Sequence, residues 1–299
     1  MSQDAVENRW TLSAPESLVL LWGRGTGDVY AVELGLLELV ARGFLDLRER
    51  KRPFPLNKLL DISGNLIHIR PSERTGCTSL DTLLDAVPLS HVPSNRRAGY
   101  PVQSMADTVL RRQIEYVPRR NTSRGVRAVL TGRGYVWSAV LPDLVRRGYY
   151  TDAPHTRVGA PESWRRDLTP AGEQALVTVR QLHLEGQGPF ASWVTTDPPR
   201  AWDYLERAGS SLFLIRGLLP HLRRLASSDP ARAAAMAAAS RHAGKDANGL
   251  YLAPVFPLSV LLQTWFGGDL DQAFNVIGRD VESAWESLRR DARERGPGE

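Results

Sequence analysis

Apolar residues recur every three or four positions over much of this chain, and that spacing predicts a mainly helical protein. A short helix that contains the apolar run 18–21 is predicted to begin at Ser13 or Glu16. A second helix is predicted from Val29 to Arg42, with Gly43 ending it. The later predicted helices are 79–86, 104–116, 135–147, one that starts at Thr169 and Pro170, 198–207, 211–226, 229–243 and 269–295.

Short alternating segments interrupt this helical pattern. Phe44, Leu45 and Leu47 alternate with charged residues, which predicts a strand. Residues 59–70 predict a hairpin whose strands, LLDI and LIHI, are joined by a turn at 63–65. The order helix, helix, strand, hairpin resembles a winged helix.

The same order returns later in the chain. A helix ends at Arg146-Arg147-Gly148, two tyrosines follow, and Trp164 to Leu168 leads into the helix at Thr169. We therefore expect winged-helix-like units at about 13–75 and 100–185. The predicted fold is predominantly α with small β-hairpins, in one mainly helical domain that also includes a helical C-terminal region, 186–299.

Charge is concentrated in one part of the chain. The 299 residues carry a net charge of +5, but residues 96–150 hold eleven Arg against three acidic residues. That segment is +8, so the rest of the chain is −3. Such a segment favours a polyanionic partner, either lipid headgroups or nucleic acid.

Composition excludes several classes. No run reaches the ~20 apolar residues of a membrane-spanning helix. The polar, acidic N-terminus is atypical of a signal peptide. Cys77 is the only cysteine, which excludes a disulfide framework and fits a reducing compartment. These features predict a cytoplasmic protein.

Motifs of catalysis are missing from the sequence. No two of the six His lie four apart, and none has a Cys or a carboxylate at metal-ligand spacing. The Gly-rich segment 23–27 lacks the Lys-Ser/Thr of a P-loop, and no G-x-S-x-G elbow occurs. We therefore predict no catalytic residue, no metal, no cofactor and no small-molecule substrate, and we expect that the protein is not an enzyme.

Four segments, in order, carry a resemblance to a known family. They are TLS…ESLVLL (11–21), GLLELVARG (35–43), LDTLLDAVPLSH (80–91), and LVRRGY (144–149) with Leu168-Thr169 after it. They resemble the LTLPEELLLL, LLELALRGRI, LLDEALKHV and LVEKGVL segments of the Golgi phosphoprotein 3 family, which has bacterial members. The resemblance covers roughly residues 10–185.

This resemblance implies a mostly helical protein on a membrane surface. Members of the family bind phosphatidylinositol 4-phosphate in a basic pocket with a Trp, place a hydrophobic hairpin in the bilayer and recruit client proteins. The family's pocket Arg positions fall here at Val32 and near Gly134 and Trp137, and its hairpin falls at 151–168. A replacement basic surface for a lipid headgroup is predicted from Trp22, Arg24, Arg124, Arg127, Arg133 and Trp137.

The main hypothesis is thus a non-enzymatic peripheral membrane protein that binds anionic lipid. A winged-helix transcriptional regulator that binds DNA is the alternative, since it would use the same basic segment. In a third hypothesis, the late helices form an interface for a partner protein through Trp193, Trp202, Trp265 and Trp285.

Overall fold

The structure is a computed structural model that describes most of the chain in separate stretches. The described residues are 12–23, 26–42, 44–49, 64–68, 74–87, 100–111, 114–118, 126–130, 134–151, 167–215, 217–241 and 270–294.

Helices dominate these residues, which confirms the predominantly α class. The α-helices are α1 (Ala14–Trp22), α2 (Asp28–Ala41), α3 (Thr78–Asp85), α4 (Val102–Leu110), α5 (Leu141–Arg146), α6 (Pro170–Gln187), α7 (Phe190–Thr196), α8 (Pro198–Ala208), α9 (Leu219–Ser228), α10 (Pro230–Arg241) and α11 (Leu270–Glu294). A π-helical turn, Val136–Val140, leads into α5, and a 3₁₀ helix, Gly209–Leu214, follows α8.

Two antiparallel sheets accompany the helices. In the first, β1 (Leu45–Glu49) pairs with β2 (Gly64–His68), which also pairs with the short β3 (Tyr100–Pro101). Gly64 and Asn65 lie inside β2, so the prediction that they form a hairpin turn is wrong. The strand predicted from the alternation of Leu45 and Leu47 with charged residues forms as β1 and pairs with β2. The strand LLDI, predicted as the first half of the hairpin, lies outside the described residues.

The second sheet corrects a predicted helix. Residues 104–116 do not form one continuous helix, because α4 ends at Leu110 and β4 (Ile114–Pro118) follows. β4 pairs with β5 (Val126–Leu130) in a two-stranded antiparallel ribbon. Ile and Tyr alternate with other residues in this segment, and a Pro closes it, so a strand is favoured over another helical turn.

The helix predicted at 135–147 forms as the π-helical turn and α5, and it is followed by an antiparallel bridge between Tyr150 and Leu168. Thr169 then caps α6, because its hydroxyl accepts a hydrogen bond from the Gly172 amide at 3.0 Å. The residues between the bridged positions, where the family's hairpin falls, lie outside the described part of the chain, apart from Thr151 and Asp167.

The predicted helix 211–226 is broken into two pieces. The 3₁₀ helix ends at Leu214, Ile215 is extended, and Gly217 has φ 83°. Pro220 then stands in the first turn of α9, where its missing N–H costs nothing. A left-handed glycine and a proline this close together end one helix and start another.

One apolar core joins the early and late helices. α11 packs against α4 and α2, and the start of α1 packs against α2 and the 3₁₀ helix. Trp193 and Trp202 are buried in this core and Trp285 is half-buried against it. These three tryptophans therefore serve packing rather than an exposed interface, and Trp265 lies outside the described residues. None of the described helices is both long and apolar enough to cross a bilayer.

Candidate functional site

Trp22 is the one residue of the predicted lipid site whose exposed side chain the structure describes. It is the last residue of α1 and is 48% exposed. Its ring centroid lies 5.8 Å from that of Tyr30 on α2 and 6.3 Å from that of His183 on α6. The ring is thus held from two sides while its remaining surface is open to solvent.

His183 completes this aromatic group. Its ring meets Trp22 edge-on, at an interplanar angle of 80°. Burial lowers the pKa of His183, and its buried Nδ1 has no hydrogen-bond partner within the described residues. At neutral pH the ring is therefore uncharged and offers Trp22 an apolar edge.

Asp28 connects this end of α1 to the basic segment of the chain. It begins α2, and its Oδ1 accepts a hydrogen bond from the Val136 amide at 2.5 Å. Trp22 lies six residues before Asp28, and Trp137 follows Val136 directly. The bond therefore joins the start of α2 to the π-helical turn that contains Trp137.

The pKa of the Asp28 carboxyl group is higher than that of an ordinary aspartate. Burial raises the pKa of Asp28 to about 6, although the hydrogen bond from Val136 opposes that shift. Its charge therefore changes in a range where an ordinary carboxylate is fully ionised. Sequence inspection placed Asp28 in a turn and gave it no role, and nothing in its local pattern points to a partner 108 residues away.

The remaining predicted site residues are described in part. Trp137 is in the π-helical turn and is half-buried against the core. Arg127 is in β5, opposite Val117 of β4. Arg24, Arg124 and Arg133 lie outside the described residues, so a complete basic surface formed by these residues stays a prediction.

The other end of α1 is buried and polar. Ser13 and Glu16 form a capping box, in which the Ser13 amide donates to Glu16 Oε2 at 2.8 Å. Glu16 also pairs with Arg147, whose Nε lies 3.1 Å from Oε1. Burial raises the pKa of Glu16, whereas the positive charge of Arg147 opposes that shift.

Cys77 and Asp143 extend this buried group. Asp143 Oδ2 accepts from the Ser79 amide at 2.9 Å and from the Cys77 thiol at 3.3 Å, and Oδ1 pairs with Arg146 at 2.6 Å. Burial, together with the negative charges of Glu16 and Asp143, raises the pKa of Cys77 well above its usual value. The thiol is therefore protonated and a poor nucleophile.

A second buried ion pair lies on α2. Glu38 and Arg42, four residues apart, form a salt bridge that is almost fully buried. Glu38 also accepts from the Ala14 amide at 2.6 Å and from the Ser210 hydroxyl at 2.7 Å. A solvated or a helix-capping role is expected for Glu38 from the sequence, and the structure shows the second, because Glu38 satisfies the first amide of α1 from a neighbouring helix.

One set of ligand atoms in this region has the spacing of a metal site. The carboxylates of Glu16 and Asp143 and the Cys77 sulfur place one donor atom each within 4.8 Å of one another. Hydrogen bonds from Ser13, Ser79 and the thiol already occupy these oxygens, and two Arg balance the two carboxylates. A cation would have to displace those donors, so we interpret the group as an ionic core that fixes α1.

Sequence reasoning placed the start of α1 but assigned none of the contacts of this ionic core. The capping box and the Glu38–Arg42 spacing are local patterns that a sequence can reveal. The contacts of Glu16 and Asp143 with Cys77 span 61 and 66 residues, and no local signal indicates them.

Comparison with protein-family models, with curated proteins and with solved structures found no match for this chain. The resemblance to the Golgi phosphoprotein 3 family therefore rests on the four sequence segments alone.

Proposed function

We propose that this protein is a non-enzymatic peripheral membrane protein that binds anionic lipid beside Trp22. The observation that carries the proposal is the exposed ring of Trp22, which Tyr30 and His183 hold at the end of α1. The +8 segment of the sequence, which contains Arg133 and Trp137, supports an anionic partner.

Trp22 has the properties of a membrane-interface residue. Tryptophan is favoured at the headgroup level, because its ring is apolar and its N–H is polar. Tyr30 and His183 fix the ring, so little conformational entropy is lost when its open surface meets a bilayer.

Arginine supplies the anion recognition in this proposal. Arg24 follows Trp22 by two residues, and Arg124, Arg127 and Arg133 belong to the +8 segment. A guanidinium group offers paired N–H donors that match phosphate oxygens. Phosphatidylinositol 4-phosphate is the proposed headgroup because the resemblance to the Golgi phosphoprotein 3 family implies it. Such a protein would be cytoplasmic, and client proteins would be its further partners.

The two winged-helix-like units belong to this proposal as its scaffold. The β1–β2 pairing after α2 and the Tyr150–Leu168 bridge after α5 support a repeated helix-plus-strand order. Each unit would contribute one half of the site, Trp22 from the first and Trp137 from the second.

Vesicle co-sedimentation tests the proposal. We expect the protein to pellet with phosphatidylcholine vesicles that contain phosphatidylinositol 4-phosphate, and to stay in solution with phosphatidylcholine alone. Trp22→Ala should weaken binding roughly tenfold, because about half of the ring is free to be buried and burial of a large side chain contributes about 1.5–3 kcal/mol.

Leu184→Ala is the matched control for that variant. Leu184 on α6 is 66% exposed and also apolar, but it belongs to another surface, lined by Val177, Arg180 and Gln181. This variant should bind as the unchanged protein does. Equal and negligible pelleting with both kinds of vesicle would refute lipid binding.

The DNA-binding alternative receives less support. Its recognition helix would be 135–147, where only Ser138 and Arg146 are exposed, and Arg146 is paired with Asp143. A reading helix needs several polar side chains that reach base edges. A gel shift that weakens steeply with salt would nevertheless favour DNA.

A further inference from the structure

The outer face of α6 carries the two most exposed large apolar side chains of the described residues. Val177 is 58% exposed and Leu184 is 66% exposed. They are seven residues apart, which is about two helical turns, so both lie along one side of the helix. The opposite side of α6 is already packed, since Ala175, Val179 and Leu182 are buried in the core. The helix therefore has a second apolar stripe that faces solvent.

This stripe forms part of an open groove of about 390 Å³. The groove is lined by Val177, Arg180, Gln181, Leu184, Glu185 and Pro189. Pro189 lies just beyond the end of α6, so the groove follows the last turns of the helix. A concave surface with apolar walls can receive side chains of a partner molecule.

The two charged groups of the groove differ in their partners. Glu185 accepts one hydrogen bond from Arg207 on α8 at 2.9 Å and another from the Gln181 side chain at 2.9 Å. Arg180 is exposed, and none of the described residues forms an ion pair or a side-chain hydrogen bond with its guanidinium. The groove therefore offers a partner apolar walls and one available positive charge.

We propose that this groove docks an amphipathic helix of another protein, in which an acidic residue lies between two apolar residues seven positions apart. The apolar residues would pack on Val177 and Leu184, as anchors of a helix in a groove do. The carboxylate would pair with Arg180, which lies three residues after Val177 and four before Leu184. Docking at this groove goes beyond lipid binding and does not depend on it.

A second copy of the chain fits the groove less well than an acidic helix does. An antiparallel pair of α6 helices that brings Val177 opposite Leu184 has its two-fold axis between positions 180 and 181. The two copies of Arg180 would then meet on the same side of the pair, next to the axis. Like charges at that distance repel, whereas a carboxylate at the same place would be attracted.

Two labelled peptides test the docking. Each is an alanine-rich helix of about 20 residues with two Leu seven positions apart, and one residue between them is Glu in the first peptide and Lys in the second. Fluorescence anisotropy should show that the protein binds the Glu peptide roughly fivefold more tightly than the Lys peptide, because exposed ion pairs change affinity by about this factor.

Three variants of the protein locate the contact. Arg180→Glu should reverse the preference, so that the Lys peptide binds more tightly. Arg111→Glu is the control, since it makes the same change of net charge on α4, where Arg111 is exposed and paired with Asp107. It should leave the preference as it is. Leu184→Ala should weaken both peptides about tenfold, because the partner covers its exposed side chain, while its vesicle binding stays unchanged.

A thiol at the start of the stripe detects the contact even when it is weak. Gln174 is exposed and lies three residues before Val177. Cys77 is buried and is the chain's only cysteine, so Gln174→Cys can form a mixed disulfide with peptides that carry a terminal Cys. A short tether raises the effective concentration to about the millimolar range. The Glu peptide should predominate among the mixed disulfides at equilibrium, and Arg180→Glu should remove that excess.

Several results would overturn the proposal. Equal binding of the two peptides, or no binding of either one even when tethered, would show that the groove does not select an acidic helix. A dimer in sedimentation equilibrium that Leu184→Ala dissociates would assign the groove to a second copy. A loss of vesicle binding in Leu184→Ala would assign it to the membrane. Selective binding of the Glu peptide by a protein that binds no vesicles would support the docking and refute the proposed function.

Discussion

The two ends of helix α1 differ although the helix is only nine residues long. At its start, Glu16 is fully buried and paired with Arg147, and the Ala14 amide is bound by Glu38. At its end, Trp22 leaves about half of its surface in solvent. The polar groups are inside and the largest apolar side chain is outside, which reverses the usual arrangement.

We propose that this difference separates structural residues from a residue that binds lipid. Buried charges must be paired, because leaving one without its partner is costly, so those at the start of α1 form a closed network. An exposed aromatic ring has no such requirement and is available to a ligand. We therefore assign stability to the first end and binding to the second, and the following predictions test that division.

Glu38→Gln should have the largest effect on stability. The substitution leaves the guanidinium of Arg42 buried without its carboxylate, so we expect the free energy of unfolding to fall by about 3–5 kcal/mol. Urea denaturation followed by circular dichroism measures the change. Asp85→Asn is the control, because the Arg74–Asp85 pair is exposed, with 51% and 57% of the side chains accessible. It should cost less than about 1 kcal/mol, and equal losses for the two variants would contradict the assignment.

Asp28→Asn should change how stability depends on pH. The folded-state pKa of Asp28 is raised from 3.8 to about 6, so the folded protein binds this proton more tightly than the unfolded chain does. Stability contributed by the protonated group is complete below 3.8 and is lost as the pH rises through about 6. Above that range the ionised group lowers the free energy of unfolding by up to about 3 kcal/mol.

Asparagine keeps an oxygen that can accept from the Val136 amide but does not ionise. We therefore expect the variant to gain stability relative to the unchanged protein as the pH rises from 3.8 to 6, with a constant difference above that range. Parallel urea titrations at several pH values measure this difference. A difference that does not vary with pH would show that Asp28 is not buried as described.

Gly35→Ala tests the packing around the buried end of α1. A Cβ at this position would lie 2.4 Å from Leu83 Cδ1, 3.1 Å from the Tyr135 hydroxyl and 3.3 Å from Pro15 Cγ. Overpacking of this kind costs about 1–3 kcal/mol. At Gly27 a Cβ would meet nothing within 4 Å, so Gly27→Ala should change stability by less than about 0.5 kcal/mol. A thermal melt of both variants separates the two outcomes.

Trp22→Ala should have the smallest effect on folding. The ring loses its contacts with Tyr30 and His183, which contribute about 0.5–1.5 kcal/mol beyond the area they bury, so the unfolding free energy should fall by about 1 kcal/mol. Its vesicle binding should fall much more than that of Glu38→Gln when both are measured while folded. A loss of stability as large as that of Glu38→Gln would mean that Trp22 is a structural residue.

The same division explains what could be predicted from sequence. Helix periodicity is local, and the structure agrees with it at α1 and along α11, where Ile277, Val281 and Leu288 are buried. The pattern of residues 104–116 predicts one helix because no Gly or Pro marks the end of α4 before Ile114. The change from helix to strand there therefore has no local sequence signal. The helix break at Ile215 depends on Gly217 and Pro220, which a purely apolar periodicity overlooks.

The candidate site was predictable only where composition points to it. Trp22 and the arginines attract attention because of their residue type and their concentration. Asp28 does not attract attention in this way. Its raised pKa comes from burial, and its hydrogen bond is to the Val136 amide, so both depend on tertiary packing. The buried arrangement of Glu16, Cys77 and Asp143 was missed for the same reason.

The Ser210–Glu38 hydrogen bond affects the order in which the chain folds during its synthesis. The ionic end of α1 needs groups from α2, α3 and α5 and also from the 3₁₀ helix, which lies 172 residues beyond Glu38. Contacts of such sequence separation are slow to form, because the loop must close before they stabilise anything. During synthesis α1 can form its cap at once, but the buried network around it stays open until Ser210 has emerged from the ribosome. A nascent chain stalled before that point would therefore lack the hydroxyl that hydrogen-bonds both Glu38 and Arg42, at the place where the finished protein is best protected.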